Sequence, residues 1–174
     1  MPAAAFREPM KTTVSLILFI ALCISSTVLY AELKQGDTAP SFTLRDSKNR
    51  LVLSKAVIQQ KPLLVSFYFA GCEPCKKELP EMQKLFEKHG SAVAFYLVST
   101  DKEGAEVAVP FVQKLSVTIP VLCDKYSDAA KGFGVTKYPT VVIIGMDGTV
   151  LFAASGYHEE TIALIDQVLG ALHQ

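Results

Sequence analysis

Two cysteines three residues apart, Cys72 and Cys75, stand in the stretch FYFAGCEPCKKELP that runs from Phe67 to Pro80. Thiols at C-x-x-C spacing can close reversibly into a disulfide and so exchange two electrons with another dithiol. The surroundings suit that chemistry. The apolar run LLVSFYFA ahead of the pair has the length of a buried strand, and Leu79, Met82, Leu85 and Phe86 behind it recur as one face of a helix. A helix opening at the motif puts Cys72 at its N-terminus, where unpaired N–H groups and the positive end of the dipole favour a thiolate. Cys75 then lies almost one turn on, within bridging reach and more shielded. Pro74 suits the first turn, where its missing N–H costs little. Glu73 places a negative charge between the cysteines, which works against the very low thiol pKa of a strong oxidant.

The same spacing also serves metal sites. Half a zinc site needs two further ligands, and the chain offers only Cys123, His89, His158 and His173, scattered far apart. A copper-delivery module wants a wider cysteine pair and a dedicated histidine or methionine, and neither is evident. No metal or cofactor is therefore expected. Cys123, closing the short apolar run IPVLC, reads as an inert buried thiol. Lys76 and Lys77 read either as support for the thiolate or as ordinary charges on a helix surface.

The elements that must hold the motif follow from periodicity. Phe42 to Arg45 and Leu51 to Leu53 are short extended runs joined by the polar turn Asp46 to Arg50. Leu63 to Ala70 is the central strand, and Pro74 to Lys88 the helix, ended at Gly90. Ala92 to Val98 is a second buried strand. Glu103 to Leu115 looks helical, either starting near Pro110 or kinked there. Pro120 to Cys123 is short and extended, and Ser127-Asp128 predicts the cap of a brief helix through Phe133. Thr140 to Ile144 and Val150 to Ala154 flank a hairpin turn at Asp147-Gly148. His158 to His173 closes the chain as a helix with Ile162, Ile165, Val168, Leu169 and Leu172 on one face. This order predicts an α/β fold with a mixed sheet covered by helices on both faces.

The first thirty residues differ in kind. Lys11 precedes an uncharged stretch, Val14 to Ala31, whose apolar centre SLILFIALCI fades at Ser25. It reads as a secretory signal at residues 1–31, cleaved after Ala31, with an uncleaved membrane tether as the rival, and residues 32–174 as one domain. Met10, followed by Lys-Thr-Thr, is a second candidate start. Cys23 follows Leu22 where lipid attachment wants a small residue, and so reads as a hydrophobe of the signal. Lys+Arg and Asp+Glu are both 17, giving a formal net charge of zero, and no basic stripe stands out. Nucleic acid is a poor partner for such a chain.

With these residues in place, FYFAGCEPCKKELP and Tyr138-Pro139-Thr140 resemble the thioredoxin fold, and within it the TlpA/ResA type of thiol-disulfide oxidoreductase, over about residues 36 to 172. The resemblance implies that Pro139 is a cis-proline beside the cysteines that helps receive an extended substrate. It implies that Glu78, one turn beyond Cys75 on the same helical face, handles protons and shapes cysteine reactivity. The 67 positions from Cys72 to Pro139 leave room for the extra strand and helix typical of this family, and the chain also carries an N-terminal extension. Two departures stand out. Ser66 occupies the place, six residues before Cys72, where thioredoxins proper keep a buried aspartate, which leaves Glu78 as the proton handler. Gly71 replaces a tryptophan, so the surface beside Cys72 should be more open.

The resemblance further implies a reductase that keeps chosen disulfides of exported proteins reduced in an oxidising compartment. Apocytochrome c is its first-choice substrate, and its electrons come from a membrane thiol carrier of the CcdA or DsbD kind. A peroxiredoxin-like peroxidase is the enzymatic alternative, but it would carry threonine where Phe69 stands. A metal-delivery domain is the non-enzymatic one.

Overall fold

A computed structural model describes residues 32–172, so the expectations placed on residues 1–31, Cys23 among them, and on His173 lie outside the described residues. Seven strands form one mixed sheet: β1 (Thr43–Asp46), β2 (Leu51–Leu53), β3 (Leu63–Tyr68), β4 (Ala94–Ser99), β5 (Val121–Cys123), β6 (Thr140–Ile144) and β7 (Val150–Ser155). Their order is β2-β1-β5-β4-β3-β6-β7. The middle strands β3, β4 and β5 run parallel, and β6 returns antiparallel beside β3. The helices are α1 (Ser54–Ile58), α2 (Glu73–His89), α3 (Ala105–Lys114), α4 (Asp128–Gly132) and α5 (Glu159–Ala171).

Strand β3 is buried at every position, as its near-continuous apolar run predicts, and its side chains alternate between two cores. Leu64 and Tyr68 join Leu79, Met82, Phe95, Leu97, Ile165 and Leu169 on one face. Leu63, Val65 and Phe67 meet Phe42, Leu122, Phe133 and Val142 on the other. Ser66 shares the parity of Leu64 and Tyr68, so its hydroxyl points toward α2. That helix buries Cys75, Glu78, Leu79, Met82, Leu85 and His89, the stripe its periodicity dictates.

Several local expectations are refined. Helix α3 starts at Ala105 and runs through Pro110, so the start near Pro110 does not occur. Helix α4 is where Ser127-Asp128 predicts it, but Ser127 makes no side-chain cap and sits at φ 56°. The Asp124 carboxylate does that work instead, accepting the N–H groups of Asp128 and Ala130 at 2.9 Å each. Helix α1 has no strong sequence signal, being five residues long. The β6–β7 hairpin turns through Gly148 at φ +85°, where only glycine is comfortable.

Candidate active site

The parallel arrangement of β3 and β4 delivers the chain from Tyr68 directly into the Cys72 turn at the C-terminal edge of the sheet. Cys72 is the N-cap of α2, with Pro74 just inside the helix as its fixed φ favours. Cys72 and Cys75 are joined in a disulfide with Cα atoms 5.2 Å apart. The Cys75 N–H donates to Cys72 Sγ at 3.2 Å, one of the helix-start donors that has no partner within the helix. Glu73 and Lys76 form an ion pair on the exposed side of this first turn, so the charge between the cysteines is answered by a neighbour.

Cys75 is fully buried and Cys72 is only 3 % exposed, while Gly71 before it is exposed. Tyr138 packs against the core cluster that contains both cysteines, and Phe69 stands beside it. A Cβ on Gly71 would meet the Phe69 ring at 3.1 Å, so the glycine lets that ring fold over the turn. Phe69 remains 36 % exposed and packs edge-on against Tyr138, with ring centroids 5.2 Å apart. The aromatic side chains beside the turn thus come from the strand side rather than from the position before Cys72. Sequence reasoning missed this pair; the signal was the glycine two residues after an aromatic, but the partner comes from the turn ahead of β6.

The antiparallel register explains the partner. Phe67 faces Thr140 across β3 and β6, which places Tyr138 and Pro139 alongside the end of β3. The Tyr138–Pro139 peptide bond is cis, and Pro139 is buried. Its carbonyl accepts the Gly156 N–H at 2.7 Å, tying the turn to β7.

Glu78 is 1 % exposed on the inner face of α2, not a solvated helix charge. Burial pushes its carboxyl up to about 7, and the Ser66 hydroxyl, donating to Oε2 at 2.9 Å, pulls in the opposite direction. The serine that stands in the aspartate position of thioredoxins therefore does not leave the spot without an acid. The helix supplies the carboxyl and the strand supplies the donor.

Cys123 carries a free thiol, partly exposed at the end of β5, and burial is the main cause that pushes its pKa up. It lines a cleft with Arg45, Asp46 and Asp124 that includes neither Cys72 nor Cys75. His89 is buried and bonded to Asp166 of α5 at 2.6 Å. Among the described residues no group of three or more His, Cys, Asp or Glu side chains is placed to hold a metal ion.

A dithiol at a helix N-cap, a cis-proline alongside the end of the strand that leads into it and a buried acid one turn beyond define a thiol-disulfide oxidoreductase of the thioredoxin-like class. The comparisons with known proteins agree. The chain belongs to the AhpC/TSA family, whose sequence profile matches residues 35–153. It is similar to the thiol-disulfide oxidoreductase ResA of Bacillus thuringiensis subsp. konkukian, 29% identical over 135 residues that cover 77% of this chain and 76% of that one. It is also similar to the thioredoxin-like protein YneN of Bacillus subtilis, 32% identical over 123 residues, 68% of this chain and 69% of the relative. Solved structures share the fold. A Chlorobium tepidum protein provisionally named thiol:disulfide interchange protein DsbE superposes with TM-score 0.74 at 22% identity, covering 82% of this chain and all of that one. Peroxidoxin BcpB of Mycobacterium tuberculosis superposes at 0.68 and 23% identity, covering 82% and 97%. At that identity the likeness speaks for the fold alone.

Proposed function

We propose that this oxidoreductase works as a reductase of protein disulfides outside the cytoplasmic membrane, with Cys72 as the attacking thiol. The observation that carries the reading is the buried Glu78 carboxyl, held by Ser66 one turn beyond Cys75, at the foot of a dithiol on a helix N-cap. In the reduced enzyme the Cys72 thiolate attacks one sulfur of a substrate disulfide, forming a mixed disulfide and expelling the other sulfur as a thiolate, which takes up a proton. Glu78 accepts the proton of Cys75, whose thiolate then attacks Cys72 Sγ. The substrate leaves with both sulfurs reduced, and Cys72–Cys75 is the oxidised product. Cis-Pro139 and the Phe69–Tyr138 pair border the sulfur that must be reached.

The direction of electron flow follows from what opposes the Cys72 thiolate. Glu73 is near it but paired with Lys76, so the stronger brake is Glu78, which gains a buried negative charge above neutral pH. The relatives named thiol-disulfide oxidoreductase support disulfide chemistry at this site, and the resemblance of the cysteine motif to the TlpA/ResA type supports the reducing direction and an extracytoplasmic setting. The apolar stretch before residue 32 supports it too, as a leader or a tether. Among the described residues no helix is long and apolar enough to cross a membrane. Electrons would return from a membrane thiol carrier of the CcdA or DsbD kind, and apocytochrome c, with its C-x-x-C-H haem site, is the substrate of first choice.

Trapping tests this. The full chain with Cys75→Ser, expressed with its leader, should accumulate mixed disulfides through Cys72 with exported proteins. Adducts that include C-x-x-C-H proteins support the cytochrome assignment, and adducts only with others remove it while keeping the reductase. Consumption of hydrogen peroxide by the wild-type chain, with no protein trapped by Cys75→Ser, would instead make it a peroxidase.

A further inference from the structure

Between the end of β3 and the N-cap of α2 lie Phe69, Ala70 and Gly71, three residues with no strand partner. On one side the turn closes on itself, with the Cys72 N–H donating to the Phe69 carbonyl at 3.1 Å. On the other it is held from the end of β4. The Thr100 N–H donates to the Tyr68 carbonyl at 3.0 Å, and the Ala70 N–H donates to both carboxylate oxygens of Asp101, at 3.2 and 3.1 Å. Among the described residues, Asp101 is the one side chain bonded to the backbone of Phe69, Ala70 or Gly71.

Asp101 is itself fixed. The Ser99 hydroxyl donates to its Oδ2 at 2.8 Å, and its own N–H donates back to Ser99 Oγ at 3.1 Å. Ser99 is fully buried and lies opposite Tyr68 in the β3–β4 register. The carboxylate could have served as a helix cap, since α3 begins four residues later. It does not, for the cap position of α3 is Gly104 with no side-chain bond, and the Asp101 carboxylate turns back to the cysteine turn instead.

We propose that Asp101 is a positioning residue of the redox reaction: through the Ala70 N–H it fixes the turn that keeps Cys72 Sγ over the N-terminus of α2 once the disulfide has opened. In the oxidised protein the Cys72–Cys75 bond does this on its own. In the reduced protein the sulfur depends on the Cys75 N–H and on its own backbone, and Asp101 is the side chain that holds that backbone turn. A carboxylate accepting a backbone N–H makes a charge-assisted bond, stronger than a neutral one and strongly directional. The inference rests on Cys72 being the attacking thiol.

The charge of Asp101 and its hydrogen bond act on Cys72 with opposite sign, which makes the idea testable. Removing a nearby negative charge alone would ease ionisation of Cys72. Losing the turn would move the sulfur off the helix N–H groups and hinder ionisation. The groups that share this corner are the Glu73–Lys76 pair and Glu78 of α2, Tyr138 ahead of β6, Cys123 of β5 with Lys125 beside it, and Tyr68 and Asp101 themselves.

The test uses the reduced full chain and its Asp101→Ala and Asp101→Asn variants, reading alkylation of Cys72 against pH by peptide mass and the rate of attack on an aromatic disulfide. Asp101→Ala should raise the Cys72 thiol pKa by about one pH unit and slow attack at pH 7 roughly five- to tenfold. Hydrogen exchange at the Ala70 amide should quicken in the same variant. Asp101→Asn keeps an oxygen for the Ala70 N–H and should stay within about twofold of wild type. A Cys72 pKa unchanged or lowered in Asp101→Ala, or an Asn variant as impaired as the Ala one, overturns the proposal. If Asp101→Ala does not fold, Asp101→Ser, too short to reach Ala70, carries the same expectation. A wild type that attacks the aromatic disulfide through Cys72, shifted in the variants as described, but reduces no protein disulfide would sink the reductase reading and leave this one standing.

Discussion

Ser66 of β3 and Glu78 of α2 are joined by a 2.9 Å hydrogen bond in the fully buried layer between sheet and helix. The bond ties the strand that leads into the cysteine turn to the helix that leaves it. It also places a buried carboxyl, with one hydroxyl donor, one turn from Cys75.

A prediction about stability follows from that burial. The Glu78 carboxyl sits at about 7 in the folded protein against 4.5 for a free side chain, so the fold holds the proton that the unfolded chain releases. Stability should therefore fall as pH rises from about 4.5 to 7, by roughly 3 kcal/mol in all, and level off above that. Glu78→Gln should lack this slope and be the more stable protein at pH 8, with the advantage fading toward pH 4.5. Urea unfolding of the oxidised proteins at several pH values reads it directly.

Ser66→Ala sharpens the same point. Without its donor the carboxyl is harder to ionise, so the pH at which Glu78 titrates should move up, and the pH profile of disulfide reduction with it. The burial of the site makes the loss of one hydrogen bond to an ionisable group worth about one pH unit. An unchanged profile in a folded variant would mean that Glu78 is not the group the reaction titrates.

The aromatic pair beside the cysteine turn has its own test. Tyr138→Ala removes the edge-on contact with Phe69 and should cost roughly 1 kcal/mol of stability beyond the lost apolar area. More to the point, the Cys72–Cys75 disulfide should become accessible to small phosphine reductants several times faster, because Phe69 loses the partner that keeps it over Gly71. Reduction rates of the two proteins, followed by thiol counting, decide it.

Cys123 should be a bystander. It is partly exposed, outside the dithiol turn, and burial keeps its thiol from ionising readily. Cys123→Ser should retain reduction of a protein disulfide within about twofold, and the oxidised wild-type domain should show one free thiol to slow alkylation. Loss of turnover in Cys123→Ser would give the third thiol a part in the cycle.

Much of this architecture was legible before any coordinates, and the limits are physical. The six buried residues of β3 announce themselves as a near-continuous apolar run, the stripe of α2 repeats at helical spacing, and Asp147-Gly148 marks its hairpin. What local pattern cannot carry is long-range pairing. Nothing near Phe69 says that Tyr138 will lie beside it, because the β3–β6 register is set by two strands more than seventy residues apart. Nothing near Ser66 says that a glutamate twelve positions on will fill the place of a missing aspartate. The cap of α4 was misassigned for a smaller reason: Ser127 has the right chemistry, but Asp124 reaches two N–H groups at once. Asp101 escaped notice altogether, since an aspartate after a strand looks like any loop residue until its partner, the Ala70 N–H, is known.

The central claim is that Cys72 and Cys75 form a reversible dithiol poised to give electrons. The reduction potential of the chain, from equilibration with defined thiol buffers and counting of trapped thiols, tests it most directly. A value near or below about −270 mV, where thioredoxin lies, is what the account predicts. A value near about −120 mV, where strong oxidants lie, would contradict it and make the protein a donor of disulfides.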